Sequence, residues 1–207
     1  MNHPHSRAGR TIRGRSDDRP EAAVEMRQDL VERARRGDRE AFGDLAAGEI
    51  ERLLTVARLV LRDPDLAEDA VQEALVRCWR QLPKLRDTGR FDGWIYRILM
   101  RTAADEASRR RRHFASVQEL RAEPRVADNA ATIADRDQLE RGFRRLTLDH
   151  RAVIVLHHYL GLPLAEVAVT LGLPPGTAKS RYHYAMSALR ASLEAEGRQV
   201  AAGEVLS

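Results

Sequence analysis

The stretch LAEVAVTLGLPPGTAKSRYHYAMSAL, residues 164–189, decides how the chain folds. Val167, Ala168 and Leu171 recur at the spacing of one helical face and form the inner side of a first helix. Gly172 follows where a tight turn needs positive φ, and Leu173 plugs the angle between two helices. Ala168 must be small, because the second helix crosses close to it. Pro174, Pro175, Gly176 and Thr177 open that second helix, since prolines are tolerated in a first turn and free amides there can face a phosphate. Thr177, Lys179, Ser180, Arg181, His183 and Tyr184 then place hydroxyls, cations and an aromatic ring on a helix sized for the DNA major groove.

A polar outer face can also meet nothing but water. The small residue, the glycine turn and the basic second helix all fall at the offsets of a helix-turn-helix, which favours DNA. Ala178 stands where a larger Val or Ile would anchor such a recognition helix, so thinner packing is expected there within the same fold. By itself the motif suits a repressor or a response-regulator output domain equally well.

Working outward, a helical C-terminal domain is predicted over 138–196, followed by a short polar tail at 197–207. Residues 113–137 carry Glu119, Glu123, Asp128, Asp135 and Asp137 against Arg121, Arg125 and Arg136, with few large apolar groups. They read as an acidic tether between two basic neighbours. Residues 26–112 are helical throughout in pattern. In DPDLAEDAVQEALVRCWRQL (63–82), Asp63 is a cap candidate before Pro64, and Ala67, Ala70, Val71, Ala74, Leu75, Cys78 and Trp79 recur every three or four positions as one buried stripe. Asp65, Glu68, Asp69, Gln72 and Glu73 share the opposite, acidic face. Pro83 ends that helix, a loop runs from Lys84 to Arg90, and a last helix is predicted over Phe91–Arg112, with Trp94, Ile95, Ile98 and Leu99 facing inward. Residues 1–25 hold almost no apolar side chains and are expected to form a disordered basic tail.

The chain has 207 residues, enough for one medium domain or two small ones. Only 5% are aromatic while 32% are charged, a mixture rich in Ala, Leu, Arg and Glu that favours helices over strands. The fold class expected is therefore all-α, two small helical domains joined by a flexible acidic linker. A net charge of +4 permits a nucleic-acid partner without demanding one. Cys78 is the single cysteine, so an internal disulfide and a cysteine-ligated zinc site are excluded, and a buried apolar role suits it better than a reactive thiol. No run of about 18 apolar residues occurs, and no apolar segment follows the first arginines; the expectation is a cytoplasmic protein with no membrane insertion.

The segment DPDLAEDAVQEALVRCWRQL (63–82) resembles the core-polymerase-binding helix of the extracytoplasmic-function (ECF) sigma factors, a branch of the sigma-70 family. RFDGWIYRILMRTAADEASRRRR (90–112) resembles their promoter-melting, minus-ten-reading helix. LTLDHRAVIVLHHYLGLPLAEVAVTLGLPPGTAKSRYHYAMSALR (146–190) resembles their minus-thirty-five-reading domain. The resemblance implies a specificity subunit of bacterial RNA polymerase, responding to a stress or developmental signal. It implies docking of Asp65, Glu68, Asp69, Gln72 and Glu73 on the basic β′ coiled coil, and a seat for the C-terminal domain on the β flap. It implies minus-ten contacts by Arg90, Phe91, Arg97, Arg101, Arg109, Arg110, Arg111 and Arg112, with a flipped base held near Lys84–Phe91. Minus-thirty-five contacts fall to Thr177, Lys179, Ser180, Arg181, His183 and Tyr184. Many members carry Asn in place of Arg101, so no minus-ten consensus is carried over, because guanidinium only donates where an amide also accepts. The acidic linker either threads toward the template strand or merely spaces the domains. An anti-sigma partner is implied by the resemblance alone, and no cofactor is implied.

Two other classes compete. A self-sufficient dimeric helix-turn-helix regulator would need a dimer interface and no acidic docking helix. An enzyme would need a site: His157 and His158 are adjacent and point apart on a helix, no His-x-x-x-His pairs with a carboxylate, and no phosphate loop or nucleophile motif occurs.

Overall fold

The computed structural model describes the backbone of residues 18–118 and 134–204. Among them lie eight α-helices and no strand: α1 Asp18–Arg35, α2 Arg39–Leu61, α3 Pro64–Gln81, α4 Phe91–Gln118, α5 Ala134–Arg145, α6 Leu148–Ile154, α7 Leu164–Leu171 and α8 Pro175–Glu204. Short 3₁₀ turns at Leu82–Lys84 and Thr88–Arg90 join α3 to α4, and a π-helical turn at Val155–Tyr159 extends α6.

Caps set the boundaries. Asp38 accepts the amides of Glu40 and Ala41 at the start of α2, and Asp63 accepts that of Leu66 at the start of α3, with Pro64 preset for a first turn. Arg62 sits between the two helices at φ 60°, the left-handed conformation that reverses the chain in two residues. α1 begins at Asp18, inside the stretch expected to be a tail. α4 runs to Gln118, past the expected end at Arg112, α5 starts at Ala134, and α8 runs to Glu204, through most of the expected polar tail. The rest of the N-terminal tail and most of the acidic linker lie outside the described residues.

α1 to α4 form the first bundle. The α3 stripe is buried as predicted at Ala67, Ala70, Val71, Ala74 and Cys78, while Trp79 is half-buried with its ring 5.1 Å from that of Phe42. Ile95, Ile98 and Leu99 point inward from α4 onto this core. Each such large side chain contributes roughly 1.5–3 kcal/mol on burial.

α5 to α8 form the second unit, with α5 crossing α8 so closely that a Cβ on Gly142 would stand 2.9 Å from Leu189 Cδ1. The two units also meet each other. Ala152, Val153, Val155, Leu156 and Val167 join one continuous apolar core with Leu53, Val56, Val60 and Leu99, and α7 packs on α4. Arg151 Nε donates to the Val60 carbonyl at 2.6 Å, and Arg62 pairs with Glu140. The two units expected from the sequence thus also pack directly on each other. The apolar surplus that joins them lies on helices and not on the linker.

Candidate nucleic-acid and polymerase interfaces

The acidic face of α3 stands clear of the core. Asp65, Glu68, Asp69 and Gln72 are exposed. Glu68 is partly engaged by Arg58 at 3.1 Å, and Glu73 by Arg77 at 2.8 Å, which with burial working against it holds the Glu73 carboxyl below its usual range. Three groups, Asp65, Asp69 and Gln72, therefore face outward from successive turns, on the side opposite the buried stripe. Such a row suits a basic partner surface.

At the other end of the same bundle lies the α3–α4 loop. Leu82 and Leu85 are buried and pin it, while Lys84, Arg86, Asp87, Gly89 and Arg90 are exposed. Asp87 accepts the Gly89 amide at 3.1 Å and pairs with Arg90 Nε at the same distance. Phe91, expected among the minus-ten contacts, is instead core: it is 3% exposed, its ring lies 5.9 Å from that of Trp94, and the Arg27 guanidinium sits over it. The resemblance implied contact there, but Phe91 opens α4, and the turn that exposes Arg90 sends Phe91 inward.

Along α4, Arg101, Arg109, Arg111 and Arg112 are exposed. Arg109 pairs with Glu106 at 3.0 Å and Arg110 with Asp63 at 2.6 Å. Arg97 is half-buried, and its buried Nε has no hydrogen-bond partner among the described residues. The exposed arginines make a cationic row suited to a phosphate backbone, which supplies affinity with little sequence information.

The helix-turn-helix forms as read. Gly172 turns at φ 67°, Val167 and Ala168 are buried, and the Leu173 amide closes the turn on the Ala168 carbonyl at 2.9 Å. Ala178 is wholly buried, so the small anchor is in close contact with its surroundings. Lys179, Ser180, His183 and Tyr184 are exposed, Tyr184 at 65%. Thr177 is half-buried. Arg181 is half-buried too, and pairs with Asp149 at 2.9 Å.

Asp149, on α6, was not singled out in the sequence, and its neighbour His150 was weighed only with the histidines set aside as a catalytic site. The His150 ring lies 4.9 Å from that of Tyr184, and burial holds its imidazole below the usual value, with Arg181 adding and Asp149 opposing. His157 Nδ1 meets the Leu162 carbonyl at 2.7 Å and His158 Nε2 the Tyr182 hydroxyl at 3.1 Å, and the two rings, expected to point apart, lie 4.8 Å from each other with both against the Tyr182 ring of the second helix. Arg181, Asp149 and Arg101 also line a cleft of about 130 Å³ between the helix-turn-helix and α4.

A helical unit with an exposed acidic face on α3 and a cationic α4, followed by a helix-turn-helix, defines a class: the sigma subunits of bacterial RNA polymerase. Residues 48–113 match Sigma-70 region 2 and residues 136–189 match Sigma-70, region 4. The ECF RNA polymerase sigma factor SigL of Mycobacterium tuberculosis is 36% identical over 141 residues, 65% of this chain and 78% of the relative. The RNA polymerase sigma-H factor of Pseudomonas aeruginosa is 30% identical over 183 residues, 82% of this chain and 95% of the relative. CnrH, solved in complex with the cytosolic domain of CnrY, superposes with a TM-score of 0.59 at 26% identity, over 82% of this chain and 98% of that one. The chain belongs to the ECF sigma factors of the sigma-70 family. Its work is to bind core RNA polymerase, recognise promoter elements and direct transcription initiation. No helix among the described residues is long and apolar enough to cross a membrane.

Proposed function

We propose that this sigma factor divides its work among three surfaces. The 26–112 unit docks on the β′ coiled coil through Asp65, Asp69 and Gln72, with Glu68 and Glu73 released from Arg58 and Arg77 as the partner's cations arrive. The exposed α4 cations and Arg90 hold the backbone around the minus-ten element, and the Lys84–Arg90 loop takes its flipped base. The 138–196 unit sits on the β flap and reads the minus-thirty-five element through Lys179, Ser180, Arg181, His183 and Tyr184, with Thr177 near the phosphates. The observation that carries this reading is the joint exposure of Asp65, Asp69 and Gln72 on α3 and of Arg101, Arg109, Arg111 and Arg112 on α4, around the buried core that both helices share.

The scale of a promoter adds a step. The two elements lie about 25 base pairs apart, roughly 85 Å at 3.4 Å per pair, a span that two domains in contact do not reach. Closed packing of α7 on α4 therefore has to open when polymerase is engaged. The tether then turns two weak contacts into one useful affinity through effective concentration.

On this reading the chain has no catalysis of its own and needs no cofactor; polymerase does the chemistry, in the cytoplasm. CnrH in its complex with CnrY shows this fold beside a protein partner, and an anti-sigma partner for this chain would cover the polymerase-facing surfaces. Capture of core polymerase by the wild-type chain and by Asp65→Lys/Asp69→Lys tests the docking face. Retention by the wild type with loss in the variant is expected; equal capture by both would remove α3 from the interface.

A further inference from the structure

The loop that carries Lys84–Arg90 is held from outside the bundle's own α3–α4 pair. α1 packs on both of its 3₁₀ turns. At one end, Arg35 Nη1 donates to the Leu85 carbonyl at 3.3 Å. At the other, Arg27 Nη2 donates to Asp92 Oδ1 at 2.6 Å, in the first turn of α4, and the guanidinium lies 5.7 Å from the centre of the Phe91 ring. The same Nη2 reaches Glu49 Oε1 at 2.7 Å. Glu49 is a carboxylate only 6% exposed on α2, with the Tyr96 hydroxyl at 3.5 Å as its other polar neighbour. A buried carboxylate demands a cation, so Glu49 fixes where the Arg27 guanidinium sits. Arg27 and Arg35 are eight residues apart, about two turns and 12 Å along one helix. That spacing lets a rigid rod grip both ends of the loop.

We infer that α1 is the template for the minus-ten loop, with Arg27 and Arg35 as positioning residues for base selection, although both precede the segment matching Sigma-70 region 2 at 48–113. The inference rests on reading Lys84–Arg90 as the loop that takes the minus-ten base. Neither arginine needs to touch DNA. Arg27 fixes the first turn of α4 through Asp92 and Phe91, Arg35 fixes the backbone at Leu85, and the exposed loop residues between are presented in one conformation. A loop with both ends held gives up little entropy when a base enters.

The test uses the full chain with core polymerase. Run-off transcription is measured from one promoter and from versions singly substituted in the minus-ten or the minus-thirty-five element. Arg27→Met/Glu49→Gln removes the buried charge pair together, which spares the fold the unpaired carboxylate that Arg27→Met alone would leave. Asp92→Asn cuts the same tether from the α4 side. Expected is a fall in minus-ten discrimination from roughly tenfold to about twofold in both, with minus-thirty-five discrimination and core capture within about twofold of wild type. A merely structural role would lower transcription from every template alike and leave the ratios in place; that result, in folded protein, overturns the inference. Lys84→Ala and Arg86→Ala separate the two layers. If these leave minus-ten discrimination intact, the loop reading falls and the inference with it. If they change it while the α1 and α4 variants do not, the template role alone falls.

Discussion

Replacing Arg151 with methionine should loosen the contact between the two units without unfolding either. Arg151 Nε donates to the Val60 carbonyl at 2.6 Å, and Nη1 to the Leu146 carbonyl at 2.9 Å. The Val60 carbonyl is one that α2 cannot satisfy itself, because the residue four positions on is Pro64, which has no amide hydrogen. Burial, reinforced by nearby Arg62, holds the Arg151 guanidinium below its usual range, yet it remains charged at any neutral pH. A hydrogen bond from a charged donor contributes about 1.5–3 kcal/mol. Only the Val60 bond crosses between units; the Leu146 bond is lost equally from open and closed forms, and methionine keeps the apolar stem. The closed-to-open ratio should fall by about tenfold to a hundredfold. Energy transfer between dyes at Arg80→Cys and Ser187→Cys, both exposed positions on opposite units, reads the change. Transfer should drop in Arg151→Met. Core affinity should rise, since apparent affinity scales with the fraction of competent molecules. Unchanged transfer with unchanged core affinity, in a variant that melts like wild type, would refute the claim that this bond helps close the molecule.

Other outcomes follow from single sites. Arg181→Ala and Lys179→Ala should each cost about 1–3 kcal/mol at a minus-thirty-five base pair and relax selection there, as read by open-complex yields on a panel of promoters; uniform weakening across the panel would move that residue from the bases to the phosphates. The Cys78 thiol is buried and pushed up to about 12, so iodoacetamide at pH 8 should leave it unmodified in native protein and label it rapidly in denaturant. His150 is held below the ordinary imidazole value, so the unfolded chain binds the proton better. Stability should therefore fall as pH drops through about 6.5 toward the folded value, and thermal melts at pH 7.5 and 5.5 should show a smaller acid-dependent loss in His150→Gln. Gly142→Leu should separate α5 from α8, since even a Cβ meets Leu189 at 2.9 Å, and lower the melting temperature of the C-terminal unit by several degrees.

Periodicity made α3 legible: its alanine–valine stripe could bury only one way, and the carboxylates were left outside. Gly172 was legible because few residues but glycine turn at φ 67° there. The ends of helices were less so. α1 reaches back to Asp18 through a stretch with few apolar residues, which composition reads as tail. The bond from Arg27 to Asp92 spans 65 positions, and no local pattern announces a charge pair of that separation. Phe91 was misread because the resemblance assigned contact to the segment around it, while its own side chain turns inward. The closed packing was illegible for a related reason. Val60, Leu99, Val153 and Val167 each fit the apolar face of their own bundle, and nothing in their spacing says that two bundles share them.

The central claim, that this chain makes core RNA polymerase initiate at particular promoters, is tested most directly by run-off transcription over genomic promoter fragments, with core polymerase alone, the chain alone, and both together. Discrete transcripts that require both components, and that vanish when either promoter element is scrambled, are predicted. Transcripts independent of the added chain, or tight promoter binding by the chain without polymerase, would contradict it.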